Sequence, residues 1–319
     1  MVAEATTREA RAGGRLEWVL NRGEFAVTAE IAPPASADPD TVRRVAAMYR
    51  DVADACNVTD CQRALVKMSS LAASVLVMQE GVEPIMQMVL RDRNRIALQA
   101  DLLGAASLGI RNVLCLRGDD PRAGNEKEAA GVFDLTTEDM ITTFRNLREK
   151  GILRGGELVE YPPRVLIGAA ANPFAGSPEE SFANLRGKVM AGADFIQTQA
   201  IYDVDAFEEW MRLVRKEWLH DRVHILAGVI PLRSLKMAKF MAEKVPGIAI
   251  PKDIMERIAS APDPKAEGIS IALRTIKALR KVEGVRGVHI MAVNWEDVVP
   301  TLVKDAGLLP RPTMAAISS

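Results

Sequence analysis

The chain has 319 residues, 48% hydrophobic but only 5% aromatic, with 41 basic against 42 acidic side chains and a net charge of -1. Near-neutral charge gives no global attraction to nucleic acid or to an anionic membrane, so recognition must be local. No run of about 20 apolar residues could span a bilayer, and the charged start MVAEATTREARAGGRLEWVL lacks a signal-peptide core, so a cytoplasmic protein without membrane or nucleic-acid partners is expected.

Residues 1–15 read as a flexible segment ahead of a single domain over 16–319. Strand candidates then alternate with segments of helical composition. The strands are expected over 25–31, 55–59, 84–89, 112–116, 165–170, 195–199, 224–229 and 287–293. Helices are expected over 40–52, 94–108, 137–150, 178–191, 205–217 and 233–243. Asp38-Pro39 and Ser177-Pro178-Glu179-Glu180 supply capping side chains and acidic first turns, and Gly151 and Gly192 stand where helices should finish. The stretch 246–281 is longer than one repeat needs, and Pro262-Asp263-Pro264 divides it into two helical pieces. The pattern predicts an α/β fold: a (βα)8 TIM barrel with an extra helical elaboration before the last strand. The aliphatic composition suits buried parallel strands.

In such barrels ligands sit at the carboxyl ends of the strands. The first strand ends in FAVTAEIAPP, which places the lone carboxylate Glu30 beside a Pro-Pro stop. A carboxyl group at an aliphatic mouth is desolvated, which raises its pKa and suits it to general acid catalysis. Capping a neighbouring loop or pairing with an Arg is the structural alternative. The fourth strand ends in Leu116-Arg117-Gly118-Asp119-Asp120-Pro121, a second carboxylate site that also reads as a tight polar turn with an internal Arg–Asp pair. On the sixth strand Gln197 and Gln199 point the same way, so both amides can enter the mouth; burial against backbone is the competing fate. Of the three histidines only His289 lies inside the apolar run of a barrel strand, which leaves proton transfer to carboxylates. Cys56, Cys61 and Cys115 are unevenly spaced, which argues for buried free thiols in a reducing compartment, with no disulfide framework and no metal site. No GxGxxG motif follows an early strand, which disfavours Rossmann-type dinucleotide binding.

In order, FAVTAEIAPP, RNVLCLRGDDP, QTQAIYD (197–203) and GVIPLRS (228–234) resemble the motifs of the methylenetetrahydrofolate reductase family, across roughly 24–306. The resemblance implies a flavoprotein that reduces 5,10-methylenetetrahydrofolate to 5-methyltetrahydrofolate. It assigns Glu30 as the general acid. Asp119 would tune the flavin and hold the folate, and Gln199 would contact the pterin, joined by Gln197 and Leu235 on the substrate side. It places the flavin against Thr59, Gln87, Leu116, Arg117, Gly118, Phe133, Ala170, Asn172 and Lys188. FAD is expected, with FMN as the alternative. Departures from the best-known bacterial pattern are Gln87 for His, Phe133 and Asn172 for Tyr, and Leu235 for a Phe that stacks on substrate and nicotinamide. RDRNR at 91–95 and GVHIMAV at 287–293 are more like the versions in anaerobic bacteria, where the reductase works with an iron–sulfur subunit. Electrons are therefore expected from NAD(P)H or from a reduced iron–sulfur partner, and exposed apolar helix faces favour a homo-oligomer or hetero-complex. Two rival functions are a redox-free pterin-binding barrel resembling corrinoid-dependent methyltransferases and a noncatalytic subunit of an electron-transfer complex. The reductase reading requires Glu30, Asp119 and Gln199 to converge around one flat redox ring at one rim.

Overall fold

The computed structural model describes residues 10–245 and 247–314. Its strands are β1 (Ala26–Ile31), β2 (Ala55–Val58), β3 (Pro84–Val89), β4 (Asn112–Leu116), β5 (Leu166–Ala171), β6 (Phe195–Ala200), β7 (His224–Val229) and β8 (Val285–Ile290). They pair in parallel, in chain order, and β8 pairs with β1 to close the barrel. The helices are α1 (Arg15–Asn21), α2 (Asp40–Tyr49), α3 (Ser70–Gln79), α4 (Arg95–Ser107), α5 (Thr137–Lys150), α6 (Pro178–Ala191), α7 (Val204–Lys216), α8 (Leu235–Lys244), α9 (Lys252–Ser260), α10 (Pro264–Leu279) and α11 (Val298–Asp305). The expected elaboration is α9 and α10, split at Pro262-Asp263-Pro264; α10 starts on the Asp263 cap. Among the described residues no helix is long and apolar enough to cross a membrane.

Three expectations shift. Strand β8 spans Val285–Ile290 rather than 287–293, because after Ile290 the chain turns at the mouth, with Val293 N–H donating to the Met291 carbonyl at 3.1 Å. Helix α3 was not expected: SLAASVLVMQ is apolar or small nearly all round, so no polar face marks its period. The flexible start is corrected over residues 10–15. The Glu17 carboxylate accepts N–H bonds from Arg11 (2.7 Å), Ala12 (2.9 Å) and Gly13 (2.7 Å), which folds this segment onto α1; residues 1–9 lie outside the described residues.

Inward-facing side chains form layers, because every second residue of a strand faces the axis. The lower layer is apolar: Ala26, Ala55, Ile85, Leu114, Leu166, Phe195 and Leu226 pack against Leu16, Val19 and Leu20 of α1, which plugs the amino end. Each of those three α1 side chains is buried, a gain of roughly 1.5–3 kcal/mol apiece. Two buried carboxylates, Asp54 and Asp194, and the half-buried Glu83 finish this face. Asp54 holds Val27 N–H (2.8 Å) and Arg311, Asp194 holds Ile167 N–H (2.8 Å) and Arg148, and Glu83 accepts from Leu16 N–H (2.9 Å). Two residues further along the strands, the interior becomes polar. Thr28, Asn57, Gln87, Gln197 and His289 are all buried there. Outward-facing residues such as Val27, Ala29, Cys56 and Cys115 form the main core with the helices. Of the three thiols, Cys61 is not fully buried but half-exposed in the loop after β2.

Candidate functional site

Above the polar layer a cavity of about 510 Å3 opens at the carboxyl ends of the strands. Leu114, Leu116, Ala170, Ala171 and Ala175 wall it with apolar surface, while Glu30, Gln87, Gln199, Lys188 and Asn172 contribute polar groups. Glu30 ends β1 with 21% of its side chain exposed, and its pKa is raised from 4.5 to about 7, first by burial and then by the nearby Glu296 carboxylate. It can therefore carry a proton near neutrality and release it within a small pH range.

Strand pairing sets the neighbours of Glu30. In the β1–β8 register Thr28 lies opposite His289, and the Thr28 Oγ1 is 3.0 Å from His289 Nδ1. The His289 Nε2 stands 3.9 Å from Glu30 Oε2. Burial pushes the His289 pKa down to about 3, so the ring is neutral and the approach to Glu30 is not an ion pair at neutral pH. The sequence expectation that only carboxylates handle protons overlooked this imidazole. The available signal was its even spacing from Met291 and Gly287, which puts it on the inward face of an otherwise apolar strand.

Gln197 and Gln199 both line the cavity but differ in what remains free. Both ends of the Gln197 amide are engaged, with Asn57 and with Thr28. Gln199 accepts Ala200 N–H through Oε1 at 3.3 Å, and its amide nitrogen donates to no described residue. Gln87 is 7% exposed and its amide makes no hydrogen bond with a described residue. Lys188, on α6, donates to the Ala170 carbonyl (2.8 Å) and Asn184 Oδ1 (2.6 Å), and its pKa is lowered by burial against the opposing pull of Glu138. Asn172 Oδ1 accepts Phe174 N–H at 3.2 Å, which holds the turn after β5.

Eight expected site residues thus gather at one cavity: Glu30, Gln87, Leu116, Ala170, Asn172, Lys188, Gln197 and Gln199. The others do not line it. Asp119 is exposed on the same face but does not line the cavity; its Oδ2 accepts Arg63 N–H from the loop after β2 at 2.7 Å. The expected convergence of three groups is therefore corrected to two, Glu30 and Gln199. The turn forms at Gly118, whose φ of +83° is open to glycine, but the ion pair differs from the one expected inside 117–121: Asp120 pairs with Arg122 at 2.6 Å. Arg117 instead lies over the Phe133 ring, 4.4 Å from its centroid. Thr59 donates to Gln62 Oε1 at 2.5 Å beneath the same loops. Leu235 opens α8 and packs into the apolar cluster of Tyr202, Ile230, Leu232 and Met241, away from the cavity.

Residues 15–307 match the family model described as methylenetetrahydrofolate reductase. The protein named methylenetetrahydrofolate reductase 1 of Schizosaccharomyces pombe is 27% identical over 240 residues, covering 72% of this chain and 36% of that protein. The 5,10-methylenetetrahydrofolate reductase of Escherichia coli is 25% identical over 206 residues, covering 63% of this chain and 62% of that one. The chain thus spans little more than a third of the yeast relative's length. In fold it is similar to a Clostridium thermocellum protein described as binding two copies of 5-methyl-5,6,7,8-tetrahydrofolic acid, with a TM-score of 0.63, 15% identity, and 92% of this chain and 99% of that one covered.

Proposed function

The chain belongs to the methylenetetrahydrofolate reductase family, and from that premise we propose that it reduces 5,10-methylenetetrahydrofolate to 5-methyltetrahydrofolate with a flavin held in the mouth cavity. The observation that carries this reading is the pairing of Glu30, poised at about 7, with an adjacent cavity in which the Gln87 amide and the Gln199 amide nitrogen make no hydrogen bond with a described residue. Amide groups left free in this way, one on the buried Gln87 and one on the half-buried Gln199, fit a ligand edged with donors and acceptors. The apolar walls from Leu114, Leu116 and Ala170 fit the faces of a flat ring, and Lys188 on α6 fits a phosphate. When bound and reduced, a flavin supplies a hydride.

This chain's own residues supply the rest. Glu30 delivers a proton to the bridging amine nitrogen of the folate, the five-membered ring opens, and the remaining nitrogen–methylene bond becomes an iminium ready to accept a hydride at carbon. Gln199 orients the pterin edge through its free amide nitrogen. Asp119 would have to leave the Arg63 N–H to reach the ring, so no step is assigned to it.

FAD, or FMN, fits the same walls. The donor is NAD(P)H or a reduced iron–sulfur partner; the aromatic residue of the best-known bacterial pattern that stacks on nicotinamide has no counterpart at Leu235, which supports the partner. Three unpaired thiols support a reducing, cytoplasmic setting. The test is anaerobic spectroscopy. A yellow protein, bleached by dithionite and recoloured by methylenetetrahydrofolate, is expected. A colourless protein would favour a redox-free methyltransferase. Glu30→Gln should keep the colour and its bleaching while losing recolouring by folate, and unchanged folate turnover in that variant would end the assignment. Mixing with NADH alone is expected to leave the yellow band intact.

A further inference from the structure

At the floor of the cavity lies a chain of polar side chains joined end to end. Asn57 Nδ2 donates to Gln197 Oε1 at 2.6 Å, and Gln197 Nε2 donates back to Asn57 Oδ1 at 2.9 Å. The second proton of Gln197 Nε2 goes to Thr28 Oγ1 at 3.1 Å. Thr28 in turn has two places for its own proton: His289 Nδ1 at 3.0 Å or the Val288 carbonyl at 3.4 Å. Thr28 and Asn57 are wholly buried, and Gln197 and His289 are 3% exposed, so each bond is made within the protein or not made at all.

An N–H arriving at Oγ1 takes one lone pair and polarises the hydroxyl, which makes its own proton a better donor and a second acceptance less favourable. The shorter path for that proton ends on the imidazole. We propose that Gln197, clamped by Asn57, is a positioning residue that steers the Thr28 hydroxyl proton onto Nδ1 of His289 and so fixes the imidazole with its Nε2–H toward Glu30. Gln197 is thus removed from the substrate contacts expected for it. An Nε2–H directed at Glu30 favours the carboxylate, whereas an Nε2 lone pair would favour the carboxylic acid, so the clamp makes Glu30 the stronger acid. The other ionisable groups around Glu30 are Glu296 after β8, Tyr49 on α2, Cys56 on β2, and Glu180 and Lys188 on α6. Burial pushes the Tyr49 and Cys56 pKa values up, so both stay neutral.

Reversing both amides together would present Gln197 Oε1 to Thr28, draw its proton away and leave His289 as the Nδ1–H form. The tautomer therefore reports on the proposal directly. The chain has three histidines, which makes long-range 1H–15N spectra of the side chains simple to assign. The expected result is Nε2–H for His289 in the native protein, kept in Thr28→Ser and lost to a majority of Nδ1–H in Gln197→Met. Thr28→Val carries the same expectation of loss should Gln197→Met fail to fold. An Nδ1–H form in the native protein, or an unchanged tautomer in the variant, overturns the proposal.

The kinetic consequence rests on the reduction proposed above. Gln197→Met should lower kcat for folate reduction with KM for folate within about twofold of native, and should move the Glu30 limb of the pH profile upward by roughly half a unit or more. A raised KM with kcat unchanged would restore Gln197 to the substrate and also overturn it. Because the tautomer is read without substrate or flavin, its failure is distinguishable from failure of the reductase reading, which the Glu30→Gln spectra test.

Discussion

Replacing Glu30 with Gln should make the protein more stable as well as inactive, and the size of the gain follows from the site. The Glu30 pKa rises from 4.5 to about 7 on folding, because burial and Glu296 both disfavour the ionised form. An acid with a raised folded pKa lets the folded state hold a proton that the unfolded chain has released. That penalty is absent below pH 4.5, grows between 4.5 and 7, and is fully present above 7. At about 1.4 kcal/mol per tenfold change in proton affinity, the ionised form costs about 3 kcal/mol in the folded state. Gln keeps the shape and loses the charge. Urea unfolding of matched ligand-free preparations should give native and Glu30→Gln proteins the same midpoint near pH 4.5, and a variant more stable by about 2–3 kcal/mol near pH 8.5. Parallel pH dependence of the two proteins would refute the argument, since Glu30 would then be as well solvated in the folded state as in the unfolded one.

Other outcomes follow from single contacts. Lys188→Met should weaken flavin retention by roughly 10- to 100-fold, read by equilibrium dialysis; because burial lowers the Lys188 pKa, native retention should also decline as pH rises toward the alkaline range, as the ammonium is lost. Asp194→Asn leaves the buried Arg148 with a weakened partner and should cost about 3–5 kcal/mol in urea unfolding, with the flavin spectrum of the surviving folded protein unaltered. A methyl group added at Gly168 would be built into the Phe195 ring, so Gly168→Ala should destabilise by about 1–3 kcal/mol, and Phe195→Leu in the same chain should recover part of that loss.

Most of the barrel was legible because its strands are apolar runs closed by charge or Pro, as at Glu30 before Pro33-Pro34, and its helices open on caps such as the Ser177 box and end on left-handed Gly151 and Gly192. The α3 helix was not, since burial on nearly all sides removes the periodicity that marks a helix. Within the site, Glu30 and Gln199 could be placed by their distance from a strand end, whereas Lys188 came from the family resemblance alone. The partnership of Glu30 with His289 could not, because it depends on the closing pair of strands, which brings together residues 259 positions apart. Asp119 was misjudged for a related reason. Two residues beyond a strand, the direction of the chain is set by Gly118 and by the loop it meets, and neither is a property of RGDDP alone.

The two faces of the barrel divide stability from function. At the amino end, carboxylates are buried, paired with Arg and bonded to strand N–H groups, an arrangement that tolerates little displacement. At the carboxyl end the backbone carries strain instead. Five of the six described non-glycine residues with positive φ, Cys61, Arg63, Ala64, Phe133 and Asn294, lie in loops there. Such conformations cost of order 1–3 kcal/mol each and persist only where surrounding contacts impose them. The loop after β2 shows what imposes them: Arg63 N–H binds Asp119, Val66 N–H binds Asn125 at 3.0 Å, and the Arg63 guanidinium lies 5.6 Å from the Phe240 ring centroid on α8. These ties run from β4's loop across to the opposite sector, so the strap can shift only if several of them break together. A ligand that drew Asp119 into the cavity would remove one tie and let stored strain offset part of the cost of breaking the rest. The β1–β8 pairing, by contrast, holds Thr28 opposite His289 through the strands themselves, independent of these loop ties.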